Sequence, residues 1–283
     1  MQNKVCLITG ATSGIGEITA HALAEMGATV VVVSRDPQRC ANTVDRIRRE
    51  TGRPKVDYLV GDLSSQAQVR RVAEEFQRRY PRLDVLVNNA GALFMQRQVS
   101  TDGIEMTFAL NHLAYFLLTN LLIDRLKTSQ AARIVNVSSD AHRGARLNFN
   151  DLQGEHGYNG WRAYSQSKLA NLLFTFELAR RLEGSQITAN AMHPGFVATN
   201  FGKNNSTLFN LGMRLTHRLA LSPEKGAETI TYLSASPEVE GVTGKYFVKK
   251  KPVRADPAAY DRQAAERLWQ VSAAMTGVGQ PAL

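Results

Sequence analysis

The sequence predicts an α/β fold, a doubly wound parallel sheet with helices on both faces. Three observations predict it. Short apolar runs alternate with stretches of helical period along the chain. Some runs are apolar throughout, Val30-Val31-Val32-Val33 most clearly, which marks strands buried on both faces. The first run also ends in a glycine cluster, Gly10, Gly14 and Gly16, at the join between first strand and first helix.

Seven strands are expected, over Val5–Thr9, Thr29–Ser34, Val56–Val60, Val85–Asn88, Arg133–Val137, Thr188–Met192 and Lys245–Val248. Helical periods fill the intervals near 15–27, 37–50, 64–80, 105–127, 163–183 and 222–236, with a last helix near 257–275. Asp36 before Pro37 reads as the cap of the second helix, because proline suits the first helical position. Leu169, Leu172, Leu173 and Phe176 mark the buried stripe of the helix at 163–183. Strand–helix alternation implies right-handed crossovers. There is no repeat and no linker, so 1–283 reads as one domain. Two stretches stand outside the alternation, 140–160 and 200–221, and long segments inside a compact domain are usually functional.

Composition narrows the function classes. At 43% apolar and 21% charged residues the chain is globular rather than disordered. The net charge of +9 is scattered along helices that also carry acids, with one short cluster at Lys249-Lys250-Lys251. No basic–aromatic surface motif accompanies it, so no nucleic-acid partner is expected. Cys6 and Cys40 have no metal-ligand spacing and form no disulfide framework, so no metal is expected and a reduced cytoplasm fits. The strand and glycine turn begin at once, with no signal peptide, and no apolar run is expected to reach the ~20 residues of a membrane span.

The glycine loop carries the first chemical signal. Gly10, Thr12, Ser13, Gly14, Ile15 and Gly16 lie where backbone can approach a pyrophosphate and a helix N-terminus can face the anion. At the tip of the second strand an NAD enzyme wants a carboxylate. This chain has Ser34-Arg35, a hydroxyl and a guanidinium suited to a 2′-phosphate, which points to NADP(H). Asp62, before Leu63, is either an acceptor for the adenine amino group or the cap of the next helix. Asn89, Ala90 and Gly91 end the fourth strand with residues small enough for a ribose to lie against backbone. Ser139 ends the fifth strand at the carboxyl edge of the sheet. Tyr164 and Lys168 are four apart and share a helix face. A phenol beside an ammonium is expected to have its pKa lowered toward the working pH and to serve as a general acid or base. His142 and His193 read as structural, since Tyr164 already supplies the acid–base group.

Thr9-Gly10-x-x-x-Gly14-x-Gly16, Asn88-Asn89-Ala90-Gly91, Asn111, Ser139, Tyr164-x-x-x-Lys168 and Pro194-Gly195 occur in one order, and together they resemble the short-chain dehydrogenase/reductase family over roughly 4–248. Ser167-Lys168-Leu169-Ala170-Asn171, His193-Pro194-Gly195 and Leu268-Trp269-x-x-Ser272 are similar to its retinol dehydrogenase branch, which also resembles protochlorophyllide reductases and WW-domain oxidoreductases. The resemblance implies a Rossmann-type sheet of seven strands. It implies Tyr164 as acid/base, Lys168 as its partner and ribose ligand, and Ser139 as polariser of the carbonyl. Asn111 would open its helix to a proton-relaying water, and Pro194, Gly195, Val197 and Thr199 would line the nicotinamide side. It also implies a homo-oligomer, pairing the helices at 105–127 and 163–183.

The expected reaction is hydride transfer between NADP(H) and a lipophilic aldehyde, ketone or alcohol, with retinoids as the resembling class. Leu208, Leu211, Leu215 and Leu219 make an apolar stripe on the segment 200–221, with Arg214 and Arg218 on another face. That pattern fits a substrate lid with a basic outer side, in a cytoplasmic protein peripheral to a membrane. The competing reading is an NADP-binding sensor or scaffold without turnover.

Overall fold

The structure is a computed structural model and describes residues 1–197 and 221–279. Strands β1 (Val5–Thr9), β2 (Thr29–Ser34), β3 (Val56–Val60), β4 (Val85–Asn88), β5 (Ala132–Val137), β6 (Ile187–His193), β7 (Tyr246–Val248) and β8 (Lys251–Val253) form one sheet. Their spatial order is β3-β2-β1-β4-β5-β6-β7-β8. The first seven are parallel. The order reverses between β1 and β4, and this switch point opens a crevice at the carboxyl ends of those strands.

Alternation along the strands builds a core on each face. Leu7, Val31 and Val33 join Phe76, Phe116, Phe174 and Trp269 on one side. Cys6, Ile8, Val30 and Val32 join Ala20, Leu23, Val44 and Ile230 on the other. Helices α1 (Gly14–Glu25), α2 (Pro37–Thr51) and α6 (Pro223–Ala235) supply the second side. The first side takes α3 (Gln66–Arg79), α4 (Met106–Lys127), α5 (Gly160–Arg181) and α7 (Arg262–Thr276). Trp269 of α7 packs edge-on to Phe116 of α4 at 5.0 Å and lies 5.8 Å from Phe174 of α5. The chain's own C-terminal helix therefore lies over both helices expected to pair between subunits.

Among the described residues the sheet has eight strands, one more than the sequence predicts. Val248 pairs with Lys251 antiparallel, closing a hairpin over two residues. Lys249 and Lys250 both take positive φ, 50° and 64°, the backbone of a type I′ turn that normally calls for Asn-Gly. Two lysines give no such signal. Their side chains crowd the backbone in this region, so Lys249→Asn with Lys250→Gly is expected to stabilise the protein by about 1–2 kcal/mol, read as a higher urea midpoint.

Helix boundaries differ where caps intervene. α5 begins at Gly160, because the Asn159 side chain accepts from Arg162 N; Tyr164 therefore sits one turn inside the helix. Asp261 restarts the last helix after a 3₁₀ turn at Pro257–Tyr260. α4, contrary to expectation, is a 22-residue stretch long and apolar enough to cross a membrane, but 78% of the qualifying window is buried in the protein, as in a core helix.

Candidate active site

The glycine loop runs from β1 into α1. Ser13 holds the N-cap position of α1 without a side-chain cap bond, so the first N–H groups of the helix remain for an anion. The loop is fixed from below by β4. Asn89 Nδ2 donates to the carbonyls of Thr9 at 2.8 Å and Gly10 at 3.2 Å, while Thr9 Oγ1 accepts from Asn89 N and Ala90 N. A Cβ on Gly10 would stand 2.9 Å from Ala90 Cα, and one on Gly16 would stand 2.6 Å from the Gly10 oxygen. The cradle admits no side chain at either position, which fits a bound pyrophosphate. Asn89 is thus a staple of the loop as much as a surface for ligand.

The tip of β2 fits a 2′-phosphate. Thr12 Oγ1 donates to Ser34 Oγ at 3.0 Å, and Arg35 is exposed beside them. Sequence reasoning missed Arg39, whose guanidinium donates to the Thr12 carbonyl at 3.1 Å and brings a second cation to the same corner. Its only signal is its place in the first turn of α2. Asp36 caps that helix, accepting from Arg39 N at 3.0 Å. Asp62 does not cap α3, which starts after Ser65. Its Oδ1 accepts from Ser64 N at 3.0 Å and Ser64 Oγ at 2.7 Å, closing the turn. The Leu63 side chain is spent in the core, so it can offer a nucleotide only backbone.

Ser139, Tyr164, Lys168 and Asn111 come together at the carboxyl edge of β4 and β5. The Tyr164 hydroxyl is hydrogen-bonded to Ser139. Ser139 is held in turn by Ala141 N, which donates to its Oγ at 3.2 Å, and by His142, whose Nδ1 lies 2.6 Å from the Ser139 carbonyl. His142 Nε2 accepts from Asp256 N, so this ring is structural. His193 Nδ1 accepts from Asp140 N at 3.3 Å. Asn111 lies in a π-turn, Ala109–Leu113, within α4. Its amide exchanges bonds with the Ala92 backbone at 2.9 and 3.0 Å and donates to Ser167 Oγ at 3.1 Å. Gly91 passes just below: a Cβ there would be 3.1 Å from Asn111 Oδ1 and 3.6 Å from Lys168 Nζ.

The electrostatics differ from expectation in sign. Burial pushes the Tyr164 phenol up to about 12, with the Ser139 hydrogen bond acting the other way. Burial brings Lys168 down to about 7. Lys168 Nζ donates to the Val137 carbonyl at 3.1 Å and stands 5.5 Å from the Tyr164 ring centroid. In the protein alone, desolvation outweighs the attraction between ammonium and phenolate.

Pro194, Gly195 and Val197 follow β6 on the same edge. Gly195 has φ 87° and faces Leu221, and Val197 bridges to Leu221. Thr199 and residues 200–220, where the sequence predicts a substrate lid, lie outside the described residues.

Comparison with known proteins identifies the family. A family model described as short chain dehydrogenase matches residues 4–208. The chain is 43% identical to retinol dehydrogenase 14 of Homo sapiens, over 98% of this chain and 88% of that protein. An uncharacterised protein from Mycobacterium paratuberculosis superposes with a TM-score of 0.80 at 34% identity, covering 98% and 94% of the two chains. The Pseudomonas aeruginosa RhlG/NADP active-site complex superposes with a TM-score of 0.70 at 27% identity, covering 87% and 94%. The family match over residues 4–208 and the retinol dehydrogenase relative together show that the chain belongs to the short-chain dehydrogenase family.

Proposed function

We propose that this protein interconverts a lipophilic aldehyde or ketone, such as a retinoid, with its alcohol, using NADP(H). The observation that carries the reading is the Tyr164 hydroxyl bonded to Ser139, with Lys168 behind it, on the edge where the glycine loop opens. The phosphate corner of Ser34, Arg35, Thr12 and Arg39 favours NADP over NAD, and the RhlG complex carries NADP. Asp62 and Leu63 would border the adenine end of the bound nucleotide, and Ala90 and Gly91 its ribose. Similarity to a retinol dehydrogenase supports the lipophilic class. So does Trp161, which is 45% exposed and edge-on to the Tyr164 ring at 6.3 Å, an apolar wall beside the proton donor. A substrate of this class partitions into membranes, which supports a placement peripheral to a membrane.

Bound NADPH supplies the hydride that reaches the carbonyl carbon. Ser139 Oγ and Tyr164 Oη, hydrogen-bonded to each other, would together hold the carbonyl oxygen as charge develops on it. Tyr164 gives its proton to that oxygen, and burial keeps the phenol protonated until then. Lys168 would orient the ribose and return a proton to the phenolate, with water relayed past the π-turn at Asn111 as the family resemblance implies. Pro194, Gly195 and Val197 would shape the nicotinamide side, as the family resemblance implies.

The test is NADPH consumption, against NADH, with retinal and with aliphatic and aromatic aldehydes. Arg35→Glu is expected to raise KM for NADPH about 10–100-fold, the worth of one charged hydrogen-bonded contact, and to leave KM for NADH within a few-fold. An unchanged KM for NADPH would remove the 2′-phosphate assignment, and no turnover across the panel would remove the enzyme reading.

A further inference from the structure

Two histidines hold opposite edges of one peptide beside the site. His142 Nδ1 lies 2.6 Å from the Ser139 carbonyl, and His193 Nδ1 accepts from Asp140 N at 3.3 Å. The Ser139 carbonyl and the Asp140 N–H belong to the same planar trans unit and point in opposite directions. Gripped at both edges, that plane is held against turning about its long axis. Its orientation sets the backbone of Ser139, extended at φ −160° and ψ 153°, and so the direction of the side chain. Ser139 is in turn hydrogen-bonded to Tyr164.

The partners leave one place for each proton. A backbone N–H only donates and a carbonyl only accepts. His142 Nε2 accepts from Asp256 N at 3.1 Å, so Nδ1 carries the proton given to the Ser139 carbonyl. His193 Nδ1 accepts from Asp140 N, so its proton is on Nε2, which stands 3.4 Å from the Asp140 carboxylate. Both rings are thus neutral, and their tautomers are opposite. A second proton on either ring would turn an accepting nitrogen into a donor that faces a donor.

We propose that His142 and His193 are positioning residues for Ser139, clamping the Ser139–Asp140 peptide while both rings are neutral. Each acts through that peptide and not on the substrate. The part Ser139 plays in the chemistry rests on the proposed reaction. Neighbouring groups hold the clamp itself. The Tyr246 hydroxyl of β7 donates to Asp140 Oδ1 at 2.9 Å, and Arg143 Nε donates to the same oxygen at 3.3 Å. Asp256 Oδ2 accepts from Gly144 N at 3.0 Å, which ties the C-terminal segment to the loop that follows His142.

The charges around the rings set the sign of the pH response. His142 meets Asp140, Arg143 and Asp256, with the Tyr246 ring edge-on at 5.2 Å. His193 meets Asp140, His142, Arg143 and Lys168 of α5. The carboxylates favour a second proton on each ring. Burial, the largest influence on both, opposes it and holds the two rings below the ordinary histidine value near ~6.5. The clamp therefore holds through neutral pH and opens as acid charges either ring.

The experiment follows the wild-type rings by ¹⁵N NMR and turnover in parallel, with the six histidines assigned by loss of resonances in single variants. Near neutral pH the proton is expected on Nδ1 of His142 and on Nε2 of His193. Turnover is expected to fall over the acid range in which the first of these rings takes its second proton. The reverse tautomer at either ring, or turnover that stays level while both rings titrate, would overturn the inference. His142→Leu is expected to lower kcat about 10–100-fold with KM for NADPH within a few-fold of wild type, as a catalytic group displaced by about 1 Å does. His193→Leu is expected to lower kcat likewise, and His193→Asn, whose amide oxygen can accept from Asp140 N, to recover most of it. A folded His142→Leu protein with wild-type kcat sinks the clamp. Where the leucine variants do not fold, the wild-type tautomers decide. A wild type with no turnover removes the proposed reaction, and the tautomers then judge the clamp alone.

Discussion

Tyr164→Phe is expected to lower turnover about 10²–10⁴-fold, the range over which a positioned general acid or base contributes. The substitution removes one oxygen from a ring that is 8% exposed, so packing against Trp161 survives and folding is unaffected. NADPH affinity stays within a few-fold of wild type, because the glycine loop and the Ser34–Thr12 corner are separate from the phenol. Fluorescence titration with NADPH beside steady-state kinetics separates the two effects. The pH dependence carries a sign. Reduction needs the proton on Tyr164, which burial retains through neutral pH, so the reductive rate bends first where Lys168 loses its proton, near about 7, and falls further as the phenol ionises. Oxidation needs the phenolate, so its rate climbs with pH over the same span. A Tyr164→Phe protein retaining a tenth or more of wild-type turnover would place the proton donor elsewhere.

Trp269→Ala is expected to destabilise the protein by about 3–5 kcal/mol, as deletion of a buried aromatic does. The indole is 2% exposed, lies against Phe116 and Phe174, and has the Arg181 guanidinium 4.2 Å from its centroid. Its Nε1 has no hydrogen-bond partner, so the loss is one of packing and not of a polar bond. Trp269→Phe keeps much of the ring contact and discards the unpaired N–H, and its cost is expected to be far smaller. Urea unfolding of the two variants measures the difference, and equal midpoints would contradict a packing role for the indole.

Local chemistry made much of the fold and site legible. Asp36-Pro37 announces a helix start because cap and proline act within one turn. Gly10 and Gly16 announce a close approach because no side chain can replace them. Tyr164 and Lys168 share a face by helical period alone. The features that escaped depend on tertiary placement. Arg39 is an ordinary helical arginine until β2 and α2 set its guanidinium on the Thr12 carbonyl. The π-turn around Asn111 breaks a helical period that the residues themselves continue. Tyr164 was expected to titrate low beside Lys168, but the sign follows from how thoroughly both are desolvated, which spacing does not encode. The helix at 106–127 is legible as a helix, but its being long and apolar enough to span a membrane was not expected from the sequence, and only its burial in the fold marks it as a core helix.

The short hairpin that ends the sheet also guards it. A parallel sheet ending at β7 would present an open row of N–H and C=O groups, a template on which another molecule's strand could add. Strand β8 covers that row with three exposed residues, Lys251, Pro252 and Val253. Pro252 has no N–H to offer, and Lys251 brings charge to the margin. The strained lysine turn thus does more than reverse the chain. It lays down a margin that discourages edge-to-edge polymerisation, so relaxing the turn and replacing Pro252 are expected to act on different properties, the first on unfolding and the second on solubility.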